Sequence, residues 1–187
     1  DLGIFTGTGA VDQYTALETW HQGLLASGKL STSEKVTVSG HSLGGFLAQG
    51  FSVDHPNAVS QTYTYNAPGL GGLVAEIFQA MGWVQPNVPL NSIINIRAEP
   101  GLSATASLGT VLGNIQPIFI EASLDPVNNH SVVTLTDSLA LYNIFATLDP
   151  ALNTNSAGLA KITDTLKASS NIAANSLETA LAEVGKI

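Results

Sequence analysis

Apolar residues near the start of the chain recur every three or four positions, at Val11, Tyr14, Leu17, Trp20 and Leu24. That spacing lines one face of a helix running to about Leu25. Residues 1–9 ahead of it are predicted as an extended lead-in ending in the loose turn Thr6-Gly7-Thr8-Gly9. Gly28 stops the helix, and Ser31-Thr32-Ser33 is a polar loop. The pattern then becomes β-branched and alternating in Lys35-Val36-Thr37-Val38-Ser39, a strand. Across Gly40-His41-Ser42-Leu43-Gly44-Gly45 it gives way to helix formers, Phe46-Leu47-Ala48-Gln49-Gly50-Phe51, which run to about Val53. Pro56 requires that helix to end before it, because the residue preceding a proline is pushed out of the helical region.

Downstream, Gln61-Thr62-Tyr63-Thr64-Tyr65 is a second strand that finishes at Asn66-Ala67-Pro68-Gly69. Leu73, Ile77, Phe78, Met81 and Trp83 predict a short amphipathic helix, either packed on the sheet or forming a lid or acyl-contacting wall over a cleft. Ser92 to Arg97 is a third strand, with Glu99 just past its carboxyl end. After the small, glycine-containing stretch from Ala104 to Asn114, Pro117 to Glu121 is a fourth strand, whose proline suggests an edge hairpin. Leu124-Asp125-Pro126-Val127-Asn128-Asn129 is a loop by composition and delivers His130. Ser131 then caps a helix to about Leu148 that buries Val132, Leu135, Leu139, Tyr142, Ile144 and Phe145, and Asp149-Pro150 ends it. From Ser156 to Val184 the apolar spacing is again helical in a Ser-, Asn- and Ala-rich background, a peripheral or connecting segment. The expected organisation is therefore a core over residues 1–150 and a C-terminal helical segment over 151–187.

Strands alternating with helices predict an α/β domain with a mostly parallel sheet flanked by helices. At 187 residues and 44% hydrophobic composition, the chain is long and apolar enough for one substantial core. Six Lys and Arg against fourteen Asp and Glu give a formal charge of −8 with no basic stripe, which argues against nucleic acid and anionic membrane surfaces as partners. The absence of cysteine removes disulfides, thiolate metal sites and cysteine nucleophiles together. No run approaches the ~18 consecutive apolar residues of a membrane span. The chain begins at Asp1, so a removed leader or a longer parent polypeptide is expected. An acidic, lysine-poor, Asn/Ser/Thr-rich composition suits a secreted bacterial protein.

Strand, tight glycine turn and helix around a serine form the context of a nucleophile elbow. The turn holds the Ser42 hydroxyl out above the sheet, and a side chain at Gly40 or Gly44 is expected to collide with neighbouring backbone. The Leu43 amide, at the N-terminus of the following helix, is a ready donor to an oxyanion. A serine nucleophile needs a general base and a carboxylate that orients it. Of the four histidines, His41 lies within the elbow and suits packing or hydrogen bonding, His55 is a surface residue at a helix end before Pro56, and His21, beside Trp20 in the first helix, suits a structural role. His130 stands at a helix start beyond the last strand, as the order serine, acid, histidine requires. Glu99 is the favoured acid, Asp125 the alternative, and Glu121 a distant third.

The run Val36-Thr37-Val38-Ser39-Gly40-His41-Ser42-Leu43-Gly44-Gly45, followed by Phe46-Leu47-Ala48, resembles the class 3 lipase branch of the α/β hydrolases, whose usual elbow is G-H-S-L-G-G. Tyr65-Asn66-Ala67-Pro68-Gly69 is similar to that family's next strand and proline turn. Arg97-Ala98-Glu99-Pro100 stands where the family has an Asp-Pro acid, with glutamate replacing aspartate. The resemblance spans about Val11 to Leu148. It implies hydrolysis of carboxylic esters of lipid-like substrates through an acyl-enzyme, without metal or organic cofactor, and with transient contact with a lipid interface. It also implies that strands preceding the elbow helix, one of them carrying a second oxyanion donor, lie outside this chain.

Two other classes of function fit the same residues. One is a non-catalytic module that keeps a hydrolase shell within a larger secreted protein; the other is acyl transfer or thioester hydrolysis on the same triad. Neither H-x-x-x-H nor H-E-x-x-H occurs, so these spacings give no ground for a metal site. Gly69-Leu70-Gly71-Gly72 lacks both the dinucleotide spacing and a phosphate-loop lysine.

Overall fold

The computed structural model describes residues 8–70, 90–101, 109, 111–121, 124–153 and 156–172. Its order is α1 (Thr8–Ala26), β1 (Val36–His41), α2 (Leu43–Asp54), β2 (Val59–Tyr65), β3 (Ile93–Glu99), β4 (Asn114–Phe119), α3 (Pro126–His130), α4 (Val132–Leu148) and α5 (Ser156–Ile172). Short 3-10 turns precede β3 at Leu90–Ser92 and α5 at Pro150–Asn153. The chain divides into two compact units, Asp1–Arg97 with Thr105–Gln116 and Ala98–Ala104 with Pro117–Ile187. The amphipathic stretch from Leu73 to Trp83 and the chain beyond Ile172 lie outside the described residues. No helix among the described residues is long and apolar enough to cross a membrane.

The four strands form one sheet in the order β1-β2-β3-β4, an α/β arrangement with helices against it. β1 pairs in parallel with β2, and β2 with β3, in a register that sets His41 opposite Tyr65 and Tyr65 opposite Ile96. The carboxyl ends of three strands are thereby brought level, which is where open α/β sheets gather their sites. β4 also runs parallel, not as the hairpin expected from its proline. Asn95 Nδ2 donates to the carbonyls of Leu112 and Asn114, while the Ile120 amide donates to the Glu99 carbonyl, so partners advance together along both strands. Pro117 is exposed on this edge strand, where a missing N–H leaves no ladder bond broken.

In the first unit, α1 starts at Thr8, three residues before Val11, and takes in the Thr8-Gly9 pair expected to end a loose turn. Burial explains the extension: Ala10 packs with Phe46, Val53 and Leu70, an apolar contact worth more than the roughly 1 kcal/mol that a helical glycine costs. The buried face of α1 is also rotated from the one expected. Trp20 is 63% exposed, and His21, at 5%, takes the inward position below Tyr14 and Leu17. Tyr14 packs with Phe51 and Val59, joining α1, α2 and β2 in one core. α2 ends at Asp54, where the His55 amide caps the Phe51 carbonyl at 2.9 Å, ahead of Pro56 as expected.

In the second unit, the stretch expected as a loop before His130 is the short helix α3. Asp125 caps it by accepting the Val127 amide at 2.9 Å, and Pro126 occupies its first turn, where a missing N–H costs nothing. Ser131 caps α4 by accepting from Val133 at 3.2 Å, as expected. The buried side of α4 is Leu135, Ser138, Leu141 and Tyr142, whereas Val132 and Ile144 are exposed. Tyr142 ties this unit together: its hydroxyl accepts the Phe119 amide at 3.1 Å and bonds Thr163 of α5 at 2.6 Å. α5 buries Ile162 and Leu166.

Candidate active site: the β1–α2 elbow

The β-branched residues of β1 hold the backbone extended as far as His41; the chain then reverses within one residue. Ser42 has φ 55° and ψ −123°, a conformation that L-residues rarely adopt and that costs about 1–3 kcal/mol. The surrounding bonds hold it there. The Ser42 amide donates to the Tyr65 carbonyl at 2.9 Å, and the Ser42 carbonyl accepts the amides of Gly45 at 3.0 Å and Phe46 at 3.1 Å.

The glycines around the serine are not equivalent. A Cβ at Gly40 would overlap the backbone of Gly44 and stand 2.6 Å from the Gly45 nitrogen. One at Gly45 would stand 2.6 Å from both the Ala67 Cβ and the Gly40 carbonyl oxygen. A Cβ at Gly44 would meet nothing within 4 Å among the described residues, which corrects the expected collision there. The close approach that makes the elbow possible is therefore between Gly40, Gly45 and the start of the Asn66-Ala67-Pro68-Gly69 turn.

The first-turn amides of a helix have no intrahelical acceptor. At the start of α2 the amides of Gly45 and Phe46 use the Ser42 carbonyl, and those of Leu43 and Gly44 precede them in the first turn. Leu43 opens α2 directly after a half-buried Ser42.

Two supporting residues are not evident from the motif. Asn66 follows β2 with φ 45°, is 1% exposed, and donates its amide to the Ile96 carbonyl at 2.9 Å. Gln49 is fully buried, and its Nε2 donates to the Pro68 carbonyl at 3.0 Å and to the Gly45 carbonyl at 3.4 Å. It fastens the elbow helix to the turn that ends β2. Its signal in the sequence is a polar side chain within the otherwise apolar run from Phe46 to Phe51.

The second unit holds the other proposed site residues. Glu99 is the last residue of β3 rather than a residue beyond it, because its carbonyl accepts the Ile120 amide at 2.7 Å. Its side chain is exposed. Asp125 and His130 bracket α3, Asp125 as the cap at one end and His130, half-buried, as the last residue at the other. Glu121 is half-buried.

A cavity of about 470 Å³ lies in the first unit between α1 and the β1–α2 layer, lined by Leu17, Trp20, Leu24, Val36, Val38, Leu47 and Phe51 among others. His41 closes β1 and is half-buried. His21 and the half-buried His55, expected at the surface, meet edge to face with ring centroids 5.0 Å apart. No protein-family model matches the chain, and no curated protein matches it.

Proposed function

We propose that this chain carries the nucleophile of a serine hydrolase of the α/β-hydrolase type, cleaving carboxylic esters of lipid-like substrates through an acyl-enzyme. The observation that carries the proposal is the left-handed Ser42 at the β1–α2 junction, held by the closed Gly40–Gly45 approach and followed by the first-turn amides of Leu43 and Gly44. Strain of this kind concentrates where a side chain must be presented to a reacting partner.

In the proposed reaction, Ser42 Oγ attacks the ester carbonyl while His130 accepts its proton. The Leu43 amide donates to the oxyanion of the tetrahedral intermediate. Collapse expels the alcohol, which takes the proton back from His130, and leaves Ser42 acylated. Water, deprotonated by His130, then releases the acid and restores the serine. Glu99 orients His130, with Asp125 as the alternative acid.

Exposed apolar side chains in the second unit support a lipid-like substrate met at an interface. Leu124 is fully exposed, Val127 is 67% exposed and Val133 64%, all within six residues' reach of His130 along the chain. Such a cluster suits transient contact with lipid better than contact with water alone. Secretion remains part of the proposal on composition.

The test is hydrolysis of a short p-nitrophenyl ester by the wild-type chain and by Ser42→Ala. Turnover that the substitution abolishes supports the proposal; equal turnover by the two proteins contradicts it.

A further inference from the structure

We propose that Glu18, His21 and His55 form a binding site for one divalent transition-metal ion of the zinc type. Glu18 and His21 are three residues apart on α1, so the helix places them on one face a turn apart. His55, the C-cap of α2, meets them there: its Nε2 lies 2.8 and 2.9 Å from the two carboxylate oxygens of Glu18. One potential ligand atom from each of the three residues falls within a mutual distance of 4.8 Å.

The observation that points to a ligand is His21. Its side chain is only 5% exposed, its ring packs edge-on against Phe51 and His55, and its buried Nδ1 has no hydrogen-bond partner among the described residues. A buried imidazole nitrogen without a partner is costly, about 1–3 kcal/mol, and native interiors rarely keep one. An ion shared with Glu18 and His55 provides that partner.

The geometry and the donor set agree on the class of ion. Bonds of roughly 2.0–2.2 Å in a tetrahedral site place ligand atoms about 3.3 Å apart. The Glu18–His55 pair is already inside that spacing, and the widest separation closes by a side-chain adjustment of about 1.5 Å. Two imidazoles and one carboxylate, in a chain with no cysteine, suit zinc, cobalt or nickel and are poor for calcium or magnesium, which favour all-oxygen sites. The Asp54 carboxylate, fixed by the Tyr14 hydroxyl at 2.8 Å, adds negative charge one residue before His55. Glu18 and His55 retain 28% and 23% side-chain exposure, so an ion can arrive from solvent and keep a water as its fourth ligand. Bound there, it would clamp α1 to the far end of α2, the helix that follows Ser42.

The test uses the full chain, stripped with a chelator and titrated with Zn²⁺ against a chromophoric competitor and separately with Co²⁺. We expect one ion per chain with micromolar or tighter affinity, and the intense visible absorption of four-coordinate cobalt. His21→Gln and Glu18→Gln should each weaken binding at least about tenfold, and Asp137→Asn, at an exposed position of α4, should leave it unchanged. Binding only in the millimolar range, the pale spectrum of six-coordinate cobalt, equal competition by Ca²⁺, or undiminished affinity in His21→Gln would overturn the site and leave a polar contact between two helices. If His21→Gln does not fold, the wild-type cobalt spectrum still decides. Ester hydrolysis is not a readout, so failure here is distinct from failure of the Ser42 proposal.

Discussion

The amide of Ser42 donates to the carbonyl of Tyr65 at 2.9 Å, so the backbone of the proposed nucleophile is an extension of the ladder between β1 and β2. The strain at Ser42 is therefore supported by the sheet. It is held further by Gly45, whose missing side chain lets α2 approach Ala67 and Gly40.

Gly44 and Gly45 should accordingly respond in opposite ways to the same substitution. Gly45→Ala forces a methyl into contact at 2.6 Å with Ala67 and with backbone, and should lower stability by about 2 kcal/mol or more. Gly44→Ala meets open space in the first turn of a helix and should be neutral or stabilising by up to about 1 kcal/mol. Urea unfolding of the two variants measures the difference.

Gln49→Ala should cost about 1–3 kcal/mol, because it leaves the buried Pro68 carbonyl without its donor at 3.0 Å and opens a cavity beside the elbow. Gln49→Glu should cost more, since it places a carboxylate at a fully buried position and removes the same donor. Denaturation midpoints at neutral pH give the ranking.

Tyr14 links stability to alkaline pH. Burial raises the pKa of its hydroxyl well above the ordinary value of 10.0, and the hydrogen bond to Asp54 and the charges of Asp54 and Glu18 add to the effect. The folded chain thus holds this proton more tightly than the unfolded chain. The stabilisation is whole below about pH 10 and declines as pH rises beyond it. Tyr14→Phe should cost about 1 kcal/mol at neutral pH and flatten that decline, as unfolding curves at neutral and alkaline pH would record.

The two proposed acids separate by isosteric substitution. Asn can still cap α3, so Asp125→Asn should leave both stability and turnover close to wild type. Glu99→Gln should lower kcat by about two to four orders of magnitude, because the base loses the group that fixes its tautomer. The reverse pattern in ester hydrolysis would transfer the role to Asp125.

Much of this was legible in the sequence where local chemistry decides the outcome. The β-branched run before Ser42, the Pro56 stop and the Ser131 cap each act within a few residues, and the structure places them as read. The buried face of α1 was not legible, because hydropathy favours Trp20 over His21, whereas the packing against Phe51 takes the smaller ring. α3 was hidden by a loop-like composition, although Asp125 followed by Pro126 is a helix start. The difference between Gly44 and Gly45 depends on how near Ala67 comes, which only the packed sheet determines. Glu18, His21 and His55 meet because α1 lies beside the end of α2; the E-x-x-H spacing was present, but its third member lies 34 residues further on.

Reaction of the full chain with a fluorophosphonate probe, read by mass spectrometry of the peptide containing Ser42, tests the central claim most directly. A single covalent adduct on Ser42 is expected, formed on the folded protein and absent from both the urea-unfolded chain and Ser42→Ala. A folded wild-type chain that takes no adduct at Ser42 under conditions that label a known serine hydrolase would contradict it.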